Sequence, residues 1–180
     1  MDALVLGGNN PHNKEWVQQL KSALAPLFNT IATHDYAHWA SGGSTIDFDH
    51  ELRAAVAEAR SLNDYVIIAK SVGTLLSLRG TASNSLRPSK AIFLGMPLNY
   101  IRQQAMEHES ESWLKKTTAP MLFIQNAHDP VASASELERY LKIIVSPSLV
   151  NLVELPGNTH DYTDFPKLFE LVQRFAAPAG

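Results

Sequence analysis

Three side chains suited to acyl transfer occur along this chain in the order Ser71, Asp129, His160. A serine hydroxyl becomes a nucleophile once a base accepts its proton. A histidine can do this near neutral pH, and a carboxylate can hold the imidazole in the tautomer the reaction needs. Ser71 closes the apolar run Asp64-Tyr65-Val66-Ile67-Ile68-Ala69-Lys70 and precedes Val72-Gly73-Thr74-Leu75-Leu76, which reads as a buried strand, a sharp turn and a helix. Such a turn holds a side chain exposed above a sheet, and small residues on either side let the backbone double back. The G-x-S-x-G spacing is met except that Ala69 stands in place of the first glycine. Each residue also has a plainer reading: Ser71 as a helix N-cap, Asp129 as a turn residue before Pro130, and His160 as a surface side chain in the loop Pro156-Gly157-Asn158-Thr159-His160.

What joins the three is where they fall. Short apolar runs recur at 3–6, 30–33, 65–69, 91–94, 121–124 and 150–155. They are nearly continuously hydrophobic, as strands buried on both faces are, and segments of helical period separate them. The pattern predicts an α/β fold with a parallel sheet flanked by helices. Helix starts are marked by Asn13, by Asp47 or Asp49, by the capping box Ser133 with Glu136, and near Asp164. Reacting groups in such sheets gather beyond the carboxyl ends of the strands. Ser71, Asp129 and His160 each follow a strand-like run.

Composition narrows the classes of function. Fifteen basic against 18 acidic residues give a net charge of -3, and no lysine or arginine run is present, so there is no cationic field for nucleic acid or an anionic membrane surface. The chain has no cysteine, which excludes disulfides, thiolate metal sites and a cysteine nucleophile. No segment reaches the roughly 20 apolar residues that span a bilayer, and Met1 to Gly8 lacks the features of a secretory signal. A cytoplasmic protein forming one domain over residues 1–180 is expected; the oligomeric state is not readable.

Four blocks in order carry a resemblance to the α/β-hydrolase superfamily: Ala69-Lys70-Ser71-Val72-Gly73, Phe93-Leu94-Gly95-Met96-Pro97-Leu98, Ala119-Pro120-Met121-Leu122-Phe123-Ile124-Gln125 leading to Asp129, and Pro156 to His160. The chain resembles most the small dienelactone-hydrolase-like branch, over nearly its whole length. The resemblance implies Ser71 as nucleophile, His160 as general base and then acid, and Asp129 as the group orienting the imidazole. It also implies a minimal fold that starts at the family's third strand, with a six-stranded parallel sheet in chain order 2-1-3-4-5-6. Residues 99–118 are enough for one or two helices but not a large cap, so an open site is expected. Ala69 and Lys70 depart from the family pattern, and a cation beside the nucleophile bears on substrate choice.

An oxyanion hole needs backbone donors. Val72, directly after Ser71, supplies one. The second is expected from Gly7-Gly8-Asn9-Asn10-Pro11-His12, with Asn9 preferred and Gly8 or Asn10 as alternatives; Pro11 has no N–H. That loop shows neither G-x-G-x-x-G nor a P-loop lysine, which counts against nucleotide binding. His12, Tyr36, Trp39, Met96 and Pro97 are candidate pocket residues, with core packing the alternative for Tyr36 and Trp39. His34 and His38 lie four apart, but the first is at a strand end, so no metal site is assigned. The expected activity is a cofactor-free serine hydrolase, esterase or thioesterase, acting on a small acyl substrate through an acyl-enzyme. The alternative is a catalytically silent member of the fold serving as a binding or interaction module.

Overall fold

The computed structural model describes residues 1–43 and 45–177. Six strands alternate with helices: β1 (Asp2–Leu6), α1 (Asn13–Leu24), β2 (Ile31–His34), α2 (Ala37–Ser41), α3 (Phe48–Ala59), β3 (Tyr65–Lys70), α4 (Val72–Ala82), β4 (Lys90–Leu94), α5 (Leu98–Gln103), α6 (Glu107–Lys116), β5 (Met121–Asn126), α7 (Ala134–Ile144), β6 (Val150–Leu155) and α8 (Phe165–Ala176). The strands form one parallel sheet in the order β2-β1-β3-β4-β5-β6. This is the topology expected from the pattern of apolar runs and the resemblance.

The reason is burial. Every residue of β1, β3 and β5 is buried, whereas the edge strand β6 has only half-buried and exposed positions. Right-handed crossovers send the β1–β2 connection to one face of the sheet and the later ones to the other. Accordingly α1 packs with α8, while α4 packs between α3 and α6. Phe93 of β4 and Phe123 of β5 meet at 5.2 Å between ring centroids inside one contiguous hydrophobic core. The segment after β4 makes two short helices, α5 and α6, and α6 lies against α4, joined by a hydrogen bond between the Thr81 and Thr117 hydroxyls (2.9 Å). It forms no large cap.

Local signals hold at most helix starts. Asp47 accepts from the Asp49 and His50 amides, Ser133 and Glu136 form the reciprocal capping box, and Asp164 accepts from the Lys167 amide. The first helix differs: it begins at Asn13 with His12 in the cap position and no side-chain cap. The preceding turn continues into it, the Asn13 and Lys14 amides bonding to the Asn10 and Pro11 carbonyls, so no side-chain acceptor is required there. Among the described residues, no helix is long and apolar enough to cross a membrane.

Candidate active site

At the end of β3 the chain reverses sharply. Ser71 has φ 52° and ψ -124°, a strained conformation for a residue with a Cβ, which persists only where surroundings enforce it. Here the Ser71 amide bonds to the Leu94 carbonyl, and the Thr74 amide and hydroxyl both bond to the Ser71 carbonyl. Ser71 occupies the N-cap position of α4, yet its side chain caps nothing. The capping reading of this serine therefore fails, and its hydroxyl is left to the cavity. Gly73 is required by close approach: a Cβ there would lie 2.6 Å from the Gly7 carbonyl oxygen and 2.8 Å from that of Leu6. The first turn of α4 thus sits directly on the backbone leaving β1.

Beyond β5 and β6 the other two residues meet. Asp129 is buried, and its Oδ2 accepts from His160 Nδ1 at 2.8 Å and from the Tyr162 hydroxyl at 2.7 Å, while Oδ1 accepts from the Val131 amide at 2.8 Å. Burial opposes ionisation of Asp129, but the hydrogen bonds from His160, Tyr162 and Val131 outweigh it and hold the carboxyl below its ordinary range. With an ionised acceptor on Nδ1, that nitrogen carries the proton and Nε2 presents a lone pair. His160 Nε2 is shielded from solvent and has no hydrogen-bond partner, so no bond joins it to the Ser71 hydroxyl in this ligand-free geometry.

The loop carrying His160 is laced to its surroundings. Asn126, the last residue of β5, gives its side-chain amide to the Thr159 carbonyl (2.8 Å) and its backbone amide to the Tyr162 hydroxyl (3.0 Å). Trp16 of α1 donates to the Tyr162 carbonyl (2.9 Å). Gly95, φ 63°, leaves room for the imidazole, since a Cβ there would stand 2.7 Å from His160 Cε1 and from Tyr162 Cε2.

Ser71 and His160 line a common cavity of about 370 Å³ together with Asn9, Asn10, Asn13 and Lys70. A neighbouring cavity of about 380 Å³ shares the walls Asn10, Asn13, Lys70 and His160 and adds His12, Trp16 and Asp161. This groove opens where loops from β1 and β3 diverge, the point at which the strand order reverses and ligands bind in such sheets. Val72 heads α4, where the first amides have no intrahelical acceptor. Asn9 is set by two donors on its carbonyl, His38 Nε2 at 2.7 Å and Trp39 Nε1 at 3.1 Å.

Several candidate pocket residues lie elsewhere. His12 lines the neighbouring cavity, not the one holding Ser71. Tyr36 is core, its hydroxyl donating to the Gly7 carbonyl (2.9 Å), and Trp39 is buried beneath the β1 loop; neither lines the Ser71 cavity. Met96 and Pro97 turn inward, with Met96 Sδ accepting from the Thr74 hydroxyl (3.2 Å) and the Met96 amide bonding to Gln125. The first residues after β4 are drawn into the core because Gln125 of β5 offers a buried acceptor. His34 and His38 do not share a site: His34 pairs with buried Glu51 (2.6 Å), and His38 serves Asn9. Among the described residues, no group of three or more His, Asp or Glu side chains is arranged to hold a metal ion.

Nothing in the local sequence points to Tyr162 or to the surroundings of Lys70. Lys70 is buried, gives one N–H to Asn13 Oδ1 (3.0 Å) and lies 5.0 Å from the Trp16 ring centroid. Desolvation lowers its pKa to about 8, against the opposing influence of Asp161 and Asp129. Desolvation also raises the Tyr162 pKa, keeping it a neutral donor to Asp129.

No family model matches the chain, and no curated protein matches it in sequence. Solved structures do match. An α/β serine hydrolase homologue from Coxiella burnetii superposes with a TM-score of 0.76 at 20% identity, covering 98% of this chain and 85% of that one. Est1E from Butyrivibrio proteoclasticus, solved with ferulic acid bound, gives 0.73 at 17% identity, covering 97% and 87%. An α/β serine hydrolase without a lid from Xanthomonas campestris gives 0.72 at 17% identity, covering 99% and 83%. The chain has the fold of the α/β-hydrolases, in a minimal form.

Proposed function

We propose that the protein is a serine hydrolase that cleaves a carboxylic ester or related acyl bond through an acyl-enzyme. The observation that carries this is the strained, uncapped Ser71 sharing a cavity with the unpartnered Nε2 of a histidine whose other nitrogen is held by Asp129. In the acylation step Ser71 Oγ bonds to the carbonyl carbon while its proton passes to His160 Nε2. Asp129 stabilises the resulting imidazolium. The amides of Val72 and Asn9 face the developing oxyanion. Collapse breaks the bond to the leaving oxygen or sulfur, which takes the proton from His160. Water, giving a proton to His160, then attacks the acyl carbonyl carbon; the bond to Ser71 Oγ breaks, the acid leaves, and His160 returns the proton to Ser71. Esterases and serine hydrolases among the structural neighbours support hydrolase chemistry.

A second reading rests on the missing Ser71–His160 hydrogen bond: a silent scaffold that binds without turnover. A fluorophosphonate probe separates the two. Labelling of the wild type that disappears in Ser71→Ala supports the enzyme. A folded wild type that is not labelled supports the scaffold.

A further inference from the structure

Lys70 is placed by the same backbone reversal that places Ser71. It ends β3, is only 6% exposed, and its ammonium makes a single hydrogen bond, to Asn13 Oδ1. Among the described residues no carboxylate stands within ion-pair distance of it. An ammonium has three donors, so two remain beside its contact with the Trp16 ring, 5.0 Å from the centroid. A buried cation without a counter-ion is expensive and normally finds an anion.

Lys70 lines both cavities, and the one that also holds Ser71 is unusual for a pocket that takes a neutral acyl chain. Its lining holds no carboxylate and, apart from Pro11, no apolar side chain larger than glycine. The side-chain amides of Asn9, Asn10 and Asn13 and the Lys70 ammonium supply its polarity. The titratable groups around Lys70 are His160, which shares both cavities with it, Asp129, held behind the His160 ring, and His12, Glu15 and Asp161 on the neighbouring cavity. None of the three carboxylates lines the Ser71 chamber.

We propose that Lys70 receives an anionic group of the substrate, so that the preferred substrates are acyl compounds carrying a carboxylate a few bonds from the scissile carbonyl. This rests on Ser71 being the nucleophile. Lys70 and Ser71 are consecutive residues on one cavity wall, which sets the separation between the anion and the reacting carbon. The amides of the asparagines complete the anion's hydrogen bonds.

The test compares 4-nitrophenyl hemiadipate with 4-nitrophenyl hexanoate, equal in chain length and differing in the terminal carboxylate. The reading is the ratio of kcat/KM for the two esters, in wild type and Lys70→Met, at about pH 7 and about pH 9.5, on either side of the Lys70 transition near about 8. The wild-type ratio at the lower pH should be about tenfold or more, the scale of a charge-assisted hydrogen bond. It should fall at the higher pH as the ammonium loses its proton, and it should vanish in Lys70→Met at both. A wild-type ratio of one or less, or a ratio kept by Lys70→Met, overturns the proposal. If neither ester is turned over and the fluorophosphonate probe leaves Ser71 unlabelled, the hydrolase assignment is what has failed. Calorimetric titration with adipate then judges the anion site alone: heat of binding in wild type that is absent in Lys70→Met supports it, and no binding to wild type overturns it.

Discussion

Replacing Gly95 by alanine should disable the site without touching any residue that does chemistry. Gly95 has φ 63°, and an L-residue with a Cβ in the left-handed region costs roughly 1 to 2 kcal/mol. The added Cβ would stand 2.7 Å from His160 Cε1 and Tyr162 Cε2 and 3.1 Å from His160 Nδ1, where ordinary contact begins at 3.4 Å. Restoring ordinary contact would take a shift of the imidazole of about 0.7 Å, the difference between those two distances. It cannot move freely, because Nδ1 is tied to Asp129 at 2.8 Å and its loop to Asn126 and Trp16. Overpacking against such a restrained neighbour adds about 1 to 3 kcal/mol. A total of about 2 to 5 kcal/mol lowers Tm by at least about 4 °C for a chain of this size. With His160 as the general base of the proposed mechanism, its displacement by close to 1 Å should cost about a hundredfold in rate. Ester-hydrolysis kinetics and thermal unfolding followed by circular dichroism measure the two effects separately. A Gly95→Ala protein with kcat/KM within about threefold of wild type and an unchanged Tm would refute the steric reasoning.

Tyr162→Phe removes the donor to Asp129 Oδ2 and leaves the buried Asn126 amide without its acceptor, so chemical denaturation should show a loss of about 1 to 3 kcal/mol. Asp129 has a folded-state pKa below its ordinary value, so its stabilisation is present above the unfolded-state pKa of about 3.9 and is lost as pH falls through the lower folded value. Asp129→Asn should therefore flatten the acid limb of a stability-against-pH curve. Lys70 has linkage of the same sign in a higher pH window: its folded pKa of about 8 lies below the ordinary 10.5, so the unfolded chain binds more protons between those values and stability rises with pH there. The rise should be on the order of 3 kcal/mol, absent in Lys70→Met, and denaturant titrations from about pH 7 to about pH 11 would show it.

Much of the architecture is legible in local patterning. Short uninterrupted apolar runs such as 65–69 and 121–124 read as strands covered on both faces, and together with the helical segments between them they imply a parallel sheet with helices on either side. Caps at Asp47, Ser133 and Asp164 act within a few residues and were readable for that reason. Pocket membership was far less legible. Tyr36 and Met96 follow strands just as Ser71 does, yet they turn inward because acceptors and donors distant in the chain are waiting for them, the Gly7 carbonyl for Tyr36 and Thr74 and Gln125 for Met96. Tyr162 carried no signal at all, since its role depends on Asp129 and Asn126, 33 and 36 residues away.

By itself the sequence determined which residue types could perform acyl transfer, their order, and the strands that would carry them. Those properties reside in residue chemistry and in periodicities of a few positions. Tertiary structure decided which nitrogen of His160 is free, whether the Ser71 hydroxyl caps a helix or faces a cavity, and that a lone buried ammonium stands beside it. Each of these is a matter of distance and desolvation between groups brought together from separate strands, and neither quantity exists until the sheet has formed.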